Sequence, residues 1–457
     1  MTSHRFVRPF SPETYRQRRL KLGQQLQKES DGDFVAVLWS GSELVRNNSS
    51  HFPFRATSDF LYLSGFSEPE TLIVISSVKG KISTAMGLRP RDLSTQRGSE
   101  IWEGERLGVE RAEKHLLVDE AFDCHKMEEF LHRKLGQARS LFWVWGQFPD
   151  LDSRITRMIS RINHAQRGLP NLTHVQDYRP VLHEMRRKKS SEEIELMRRS
   201  ATIAAHGHLR AMATTRPGHY EYQIQAEVER EFKRLGAQHT AYNSIVASGN
   251  NACTLHYISN NCLVKKTDLI LIDAGAELDG YASDITRTYP VSGTFSAVQR
   301  AVYEIVLEAQ LAAIATAKVG AEITKPHQAA SRVIAAGLKT LGFFKRESVA
   351  TILKKNLWRP YFPHGTSHWL GLDVHDAGGY KNPARPHQDM VLSEGSVITV
   401  EPGLYFREDD KTVPARYRGI GIRIEDDVHI TRKGPDVLSA ACPKSIADIE
   451  AACGPKL

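Results

Sequence analysis

The chain has 457 residues, enough for two or three domains that each bury a core. Hydrophobic residues make up 41% and charged residues 25%, which excludes a wholly disordered, collagenous or coiled-coil chain. Net charge is +8, but the densest basic run, Arg186-Arg-Lys-Lys189, is followed at once by Glu192, Glu193 and Glu195. Mixed signs at that spacing read as a solvated helix face, so no nucleic-acid partner is expected. Leu269-Ile-Leu-Ile272, the densest apolar run, falls far short of the roughly 18 residues of a membrane span, and the first ten residues lack the apolar core of a secretory signal. The five cysteines form no C-x-x-C, which suits ordinary thiols in the cytoplasm.

In chain order, Glu13 to Glu29 predicts a helix and Phe34-Val-Ala-Val-Leu-Trp39 a strand. Asp59-Phe-Leu-Tyr-Leu63, Thr71-Leu-Ile-Val-Ile75 and Leu141-Phe-Trp-Val-Trp145 predict three more strands, so residues 1–178 read as an α/β domain. The boundary is placed at Tyr178-Arg-Pro180, and residues 179–457 form a second domain of different character. There Ser190 with Glu193 makes a capping box, and long helices are expected near 190–212, 219–235 and 296–318 among β-ribbons with Gly and Pro turns.

The chemistry concentrates in this second domain. In Leu269-Ile-Leu-Ile-Asp273 through Asp284-Ile-Thr-Arg-Thr288, two strand-like runs flank Glu277-Leu-Asp-Gly280. A two-residue loop at Leu278-Asp279 sets Asp273 directly opposite Asp284. Carboxylates about 5 Å apart repel by roughly 3 kcal/mol at an effective dielectric of about 20, so a shared proton or a bound cation must compensate. Two glutamates also stand where apolar runs stop, Glu401 after Val397-Ile-Thr-Val400 and Glu425 after Gly421-Ile-Arg-Ile424. Between the pairs, His364, His368 and His375 fall within twelve residues. Two Asp, two Glu and one His make an oxygen-rich site able to hold two divalent ions, with Mn²⁺ or a similar first-row ion favoured. Two metals sharing a water supply hydroxide at neutral pH. His183-Glu184 does not continue as H-E-x-x-H, and neither a Walker A nor a G-x-S-x-G motif occurs.

At these residues, from Thr240-Ala-Tyr-Asn243 through His256 and on to Glu425, the chain resembles the aminopeptidase P and prolidase family of pita-bread metallopeptidases. Phe54-Arg-Ala-Thr-Ser-Asp-Phe-Leu-Tyr-Leu-Ser-Gly-Phe66 resembles part of that family's N-terminal, creatinase-like domain. The resemblance implies an α/β N-terminal domain followed by an α+β pita-bread catalytic domain. It implies Asp273, Asp284, His368, Glu401 and Glu425 as ligands of a di-manganese centre, with Asp284 and Glu425 bridging. His256 and His375 match non-ligand active-site histidines, His364 matches a third that lines the substrate pocket, and Tyr242 and Arg423 match pocket or metal-shell positions.

The implied reaction releases the N-terminal residue of a peptide with proline second, through a metal-bridged hydroxide. Because the Xaa-Pro bond lacks an N–H and its ring locks φ, general peptidases fit it poorly. His375 would bond the developing oxyanion and Glu401 would relay a proton to the prolyl nitrogen, making His256, His375 and Glu401 the catalytic set. His256, His364 and Tyr242 would wall the proline ring, and Trp102 is a candidate wall of the outer groove or else a core tryptophan. Peptides with N-terminal Xaa-Pro are the expected partners, and assembly as a homodimer or homotetramer is expected. The alternatives are a prolidase restricted to dipeptides and a non-catalytic pita-bread binding module.

Overall fold

In the computed structural model, which describes residues 9–30, 32–165 and 172–454, Ser11 opens the first helix, Pro12–Glu29, by accepting the Thr14 N–H at 3.2 Å. Pro12 stands in the first turn, where a missing N–H removes no intrahelical bond. Buried Arg19 donates from this helix to the carbonyls of Leu63, Leu116 and Leu117, meeting acceptors that two other helix ends leave unpaired. The chain divides into two compact units, Met1–Met185 and Arg186–Leu457. Their division lies inside the helix Arg179–Arg187, which begins at the Tyr178-Arg-Pro180 breakpoint.

The first unit is built on a six-stranded mixed sheet in the order Glu120–Asp123, Lys81–Leu88, Leu72–Val78, Phe34–Trp39, Ser140–Phe142, His174–Gln176. Its central strand Phe34–Trp39 pairs antiparallel with Leu72–Val78 and parallel with Ser140–Phe142. Burial on both faces explains why that strand reads as a continuous apolar run rather than an alternation. Asp59–Leu63 is not the expected strand but part of a helix, Ser58–Ser64. Phe60 and Tyr62 mimic a strand's alternation, but Leu63 and Ser64 are buried too, and Gly65 ends the helix at φ 60°. Trp102 is 68% exposed on the short helix Glu100–Glu103, which overturns the core reading of that side chain.

The second unit runs twice through one scheme, two long helices followed by antiparallel ribbons. Ser191–Thr214 and Glu221–Arg234 precede the strands Ile245–Ser248, Leu269–Asp273 and Thr286–Pro290. Ala297–Thr316 and Lys325–Thr340 precede Val397–Val400, Gly403–Phe406, Ile420–Arg423 and Asp426–Thr431. The Ser190–Glu193 capping box forms as the sequence predicts.

The hairpin between the aspartates differs from the expected register. Glu277 pairs with Ala282 and Leu278 with Tyr281, so the loop is Asp279-Gly280, with φ of 49° and 87°. Both loop residues must take positive φ, which Asp-Gly supplies and Leu-Asp does not. Asp273 therefore pairs with Thr286, not Asp284. Asp284 stands diagonally from it, two residues along the same face. Among the described residues no helix is long and apolar enough to cross a membrane.

Candidate metal centre

Three of the four acidic residues sit where a strand stops, and Asp284 lies between Tyr281–Ala282 and Thr286–Pro290. Asp273 ends Leu269–Asp273, Glu401 follows Val397–Val400, and Glu425 lies between Ile420–Arg423 and Asp426–Thr431. The second strand pair is stitched to the first: the Glu425 N–H donates to the Thr286 carbonyl at 3.0 Å, and the Thr286 hydroxyl to Glu425 Oε2 at 2.6 Å. Glu401 N–H donates to the Thr366 carbonyl at 2.9 Å, and Thr399 N–H to that of His368 at 3.0 Å, which fixes the His364–His368 segment beside the carboxylates.

The ten residues named for the metal and substrate positions line one cavity of about 650 Å³, and Trp102 is not among its lining residues. Within it the ligand atoms of Asp284, His368 and Glu425 all lie within 4.8 Å of one another. Glu401 Oε1 is 3.7 Å and Asp284 Oδ2 3.3 Å from His368 Nε2. The Tyr242 hydroxyl lies 2.5 Å from both Asp273 Oδ1 and Asp284 Oδ1. Arg423 donates to Asp273 Oδ2 at 2.6 Å, to the Thr286 hydroxyl at 3.2 Å and to the Tyr405 hydroxyl at 3.0 Å.

This arrangement is short of positive charge. Burial, Asp284, Glu401 and Asp273 push Glu425 well above the usual carboxylate range, against the opposing pull of Arg423. Burial and the neighbouring aspartates hold Glu401 up at about 7, although His368 and Arg423 oppose the shift. Burial also raises Asp273, which Arg423 resists and Asp284 reinforces. Two details fit cations rather than protons alone. Tyr242 has a single hydroxyl proton for two carboxylate oxygens. His368 is committed through Nδ1 to the Trp369 carbonyl at 3.0 Å, so Nε2 is the ring atom that faces the carboxylates of Asp284 and Glu401, where a bound cation would displace its proton. Burial lowers the His368 pKa, but Asp284 and Glu401 outweigh it and hold the ring at about 9. Divalent ions fit this donor set.

The remaining histidines are placed differently. His364 is bound through Nδ1 to the Gly365 carbonyl at 2.7 Å and accepts the Tyr405 hydroxyl at Nε2, 2.8 Å away. Burial and the charge of Arg423 hold its pKa down at about 3, so it is a neutral wall. His375 packs beside His368 with ring centroids 4.1 Å apart, and burial with the His368 charge lowers its pKa. His256 is exposed to the cavity. Tyr405, Thr286 and Asp427, which accepts the Asp284 N–H at 3.1 Å, were missed from sequence. Their parts depend on cross-strand contacts that no local motif marks.

Buried carboxylates gathered with a histidine at the ends of two ribbon systems define a metal-dependent hydrolase. A profile of metallopeptidase family M24 matches residues 195–432, and one of the aminopeptidase P N-terminal domain matches residues 15–143. An Xaa-Pro aminopeptidase of Escherichia coli (strain K12) is 41% identical over 445 residues, covering 96% of this chain and 97% of that protein. The structure of proline aminopeptidase P II from Yersinia pestis superposes with a TM-score of 0.91 at 41% identity, covering 97% of this chain and 99% of that one. E. coli aminopeptidase P with the inhibitor Pro-Leu gives a TM-score of 0.90 at 39% identity, covering 97% and 98%. The chain belongs to metallopeptidase family M24, with an N-terminal domain of the aminopeptidase P type.

Proposed function

We propose that the protein is an Xaa-Pro aminopeptidase, a metal-dependent enzyme that releases the N-terminal residue from peptides with proline second. The observation that carries the reading is one cavity holding the carboxylate–imidazole cluster and three further histidines, in a chain 41% identical to an Xaa-Pro aminopeptidase over nearly its whole length. Asp273, Asp284, His368, Glu401 and Glu425 would hold two divalent ions, and four oxygen-donor side chains with one imidazole favour manganese. When bound, such ions supply Lewis acidity and make water acidic enough to serve as nucleophile at neutral pH.

The chain's own residues supply the rest. Tyr242 and Arg423 hold Asp273 at a fixed angle, and Thr286 does the same for Glu425. Neutral His364, locked by Tyr405, offers a flat surface to the proline ring together with His256 and Tyr242. His375 donates a hydrogen bond where charge develops on the scissile carbonyl oxygen, and Glu401 carries a proton to the departing prolyl nitrogen. Leu255, Ile258 and Val374 give the cavity an apolar lining that excludes water around the bound peptide. Five unpaired cysteines suit the cytoplasm, and assembly as a homodimer or homotetramer is tested by sedimentation.

The deciding experiment is turnover by the manganese-reconstituted protein of Xaa-Pro-Yaa tripeptides against matched Xaa-Pro dipeptides. Residues beyond proline should contribute binding energy, so kcat/KM is expected to be higher for tripeptides. Dipeptides turned over at least as efficiently would replace the reading with a prolidase.

A further inference from the structure

His256 reaches the cavity, among the described residues, with none of the side-chain hydrogen bonds that fix His364 and His368. Its orientation therefore comes from the segment that carries it, the loop 248–262 that starts at the last residue of the strand Ile245–Ser248. That loop is organised around one carboxylate 27 to 41 residues earlier in the chain. Glu221, the first residue of the helix Glu221–Arg234, has no solvent exposure. Its Oε1 accepts from the Ser248 N–H and hydroxyl, both at 2.7 Å, and from Asn251 Nδ2 at 2.9 Å. Its Oε2 accepts from the Tyr257 hydroxyl at 2.8 Å and from the Cys262 N–H at 2.9 Å. The Glu221 N–H in turn donates to the Cys262 carbonyl at 3.0 Å.

Among the described residues no cation pairs with Glu221, so donors from the loop alone compensate its buried charge. Any movement of the loop strands that charge. The start, middle and end of the loop are thereby tied to one point, and the middle tie is the residue next to His256.

We infer that Glu221, through the Tyr257 hydroxyl, is a positioning residue for His256. It touches neither the ion ligands nor the substrate. It holds His256 in the one placement where the ring meets the proline side of the peptide. The inference rests on the aminopeptidase reading above, and the test separates the two.

The test is a double-mutant cycle on the metal-reconstituted full chain with an Xaa-Pro-Yaa tripeptide, using Tyr257→Phe, which deletes only the hydroxyl beside His256, and His256→Ala. Glu221→Gln is added where it folds. Metal content, melting temperature, kcat and KM are measured on each preparation, well below every melting temperature. Tyr257→Phe is expected to keep its metal and lower kcat/KM about tenfold in the wild-type background, yet change it less than about twofold when His256 is already alanine. A merely structural role gives the same fold-loss in both backgrounds, tracking the drop in melting temperature, and that result overturns the inference. Wild-type kcat/KM in Tyr257→Phe also overturns it. Failure of the aminopeptidase reading looks different, because the wild-type chain would then turn over the matched Xaa-Pro dipeptide at least as efficiently as the tripeptide, or cleave neither.

Discussion

At the scale of single residues the site is a contest between carboxylates and too few positive charges. Asp273→Asn or Glu425→Gln removes one anion that a cation needs, and each variant is expected to lose activity through loss of metal, with little change in fold. Elemental analysis checks this, and an inactive variant still holding two ions at wild-type affinity would refute the ligand assignment. His375→Ala should behave in the opposite way. Its ring packs beside His368 without occupying a ligand position, so metal content should stay while kcat falls roughly 10²-fold, the usual effect of deleting a donor to a developing oxyanion. If His375 were only a core residue, the variant would instead melt earlier and keep its rate per folded molecule. The carboxylates Asp273, Glu401 and Glu425 were legible in sequence because each stands where an apolar strand ends. Tyr405 was not, because its value lies in joining Arg423 to His364 across paired strands, at a distance that local spacing does not encode.

At the scale of elements, the aspartates come together because the two arms of one hairpin approach closely. A Cβ added at Gly275 would lie 1.7 Å from the Ser283 carbonyl oxygen, a backbone atom with nowhere to go. Gly275→Ala should therefore part the strands bearing Asp273 and Asp284, lowering both melting temperature and metal affinity. Calorimetry and metal titration check this, and a variant with wild-type metal affinity would show that the close approach of the two arms does not set the site. The sequence made the hairpin legible but not its register, since moving the loop by one residue keeps both aspartates on one face while changing which residue each opposes. A short apolar run such as Asp59–Leu63 was ambiguous for a related reason: buried Phe60 and Tyr62 alternate with half-buried neighbours, a pattern that over five residues fits a strand as well as a helical turn. Beyond the ligands, Asp376 shows how the His375 segment is anchored. Its carboxylate lies 2.6 Å from Arg186 and 2.9 Å from Lys189, with all three side chains nearly sealed from solvent. Burial raises the Asp376 pKa, but Lys189 and Arg186 outweigh it and hold the group at about 2. A carboxyl depressed on folding contributes stability above its unfolded pKa of about 4, and that stability is lost as pH falls from there through about 2. Asp376→Asn should cost about 3–5 kcal/mol near neutrality and flatten this acid limb, as urea unfolding from pH 2 to 7 would show.

For the molecule as a whole, metal and fold are linked through the same buried anions. An ion that binds only the folded chain stabilises it by about 2.7 kcal/mol per site at a hundredfold excess over Kd, so saturating Mn²⁺ should raise the melting temperature by several degrees. The size of that rise should depend on pH. In the metal-free chain Glu401 is held at about 7 and Glu425 well above the usual carboxylate range, both above their values in an unfolded chain. A carboxyl raised on folding contributes stability below its unfolded pKa, and that contribution is lost as pH climbs through the folded value. Metal-free protein should thus weaken between about pH 5 and 8. Over the same interval protons stop competing for the ligand oxygens, and metal affinity rises. The two effects act in one direction, so the gain in melting temperature on adding Mn²⁺ should be larger at pH 8 than at pH 5. Paired thermal scans with and without the ion across that range measure it. An equal gain at both ends would mean that the ion does not stabilise the chain through these carboxylates, and an increment falling with pH would place the stabilising ion elsewhere on the chain.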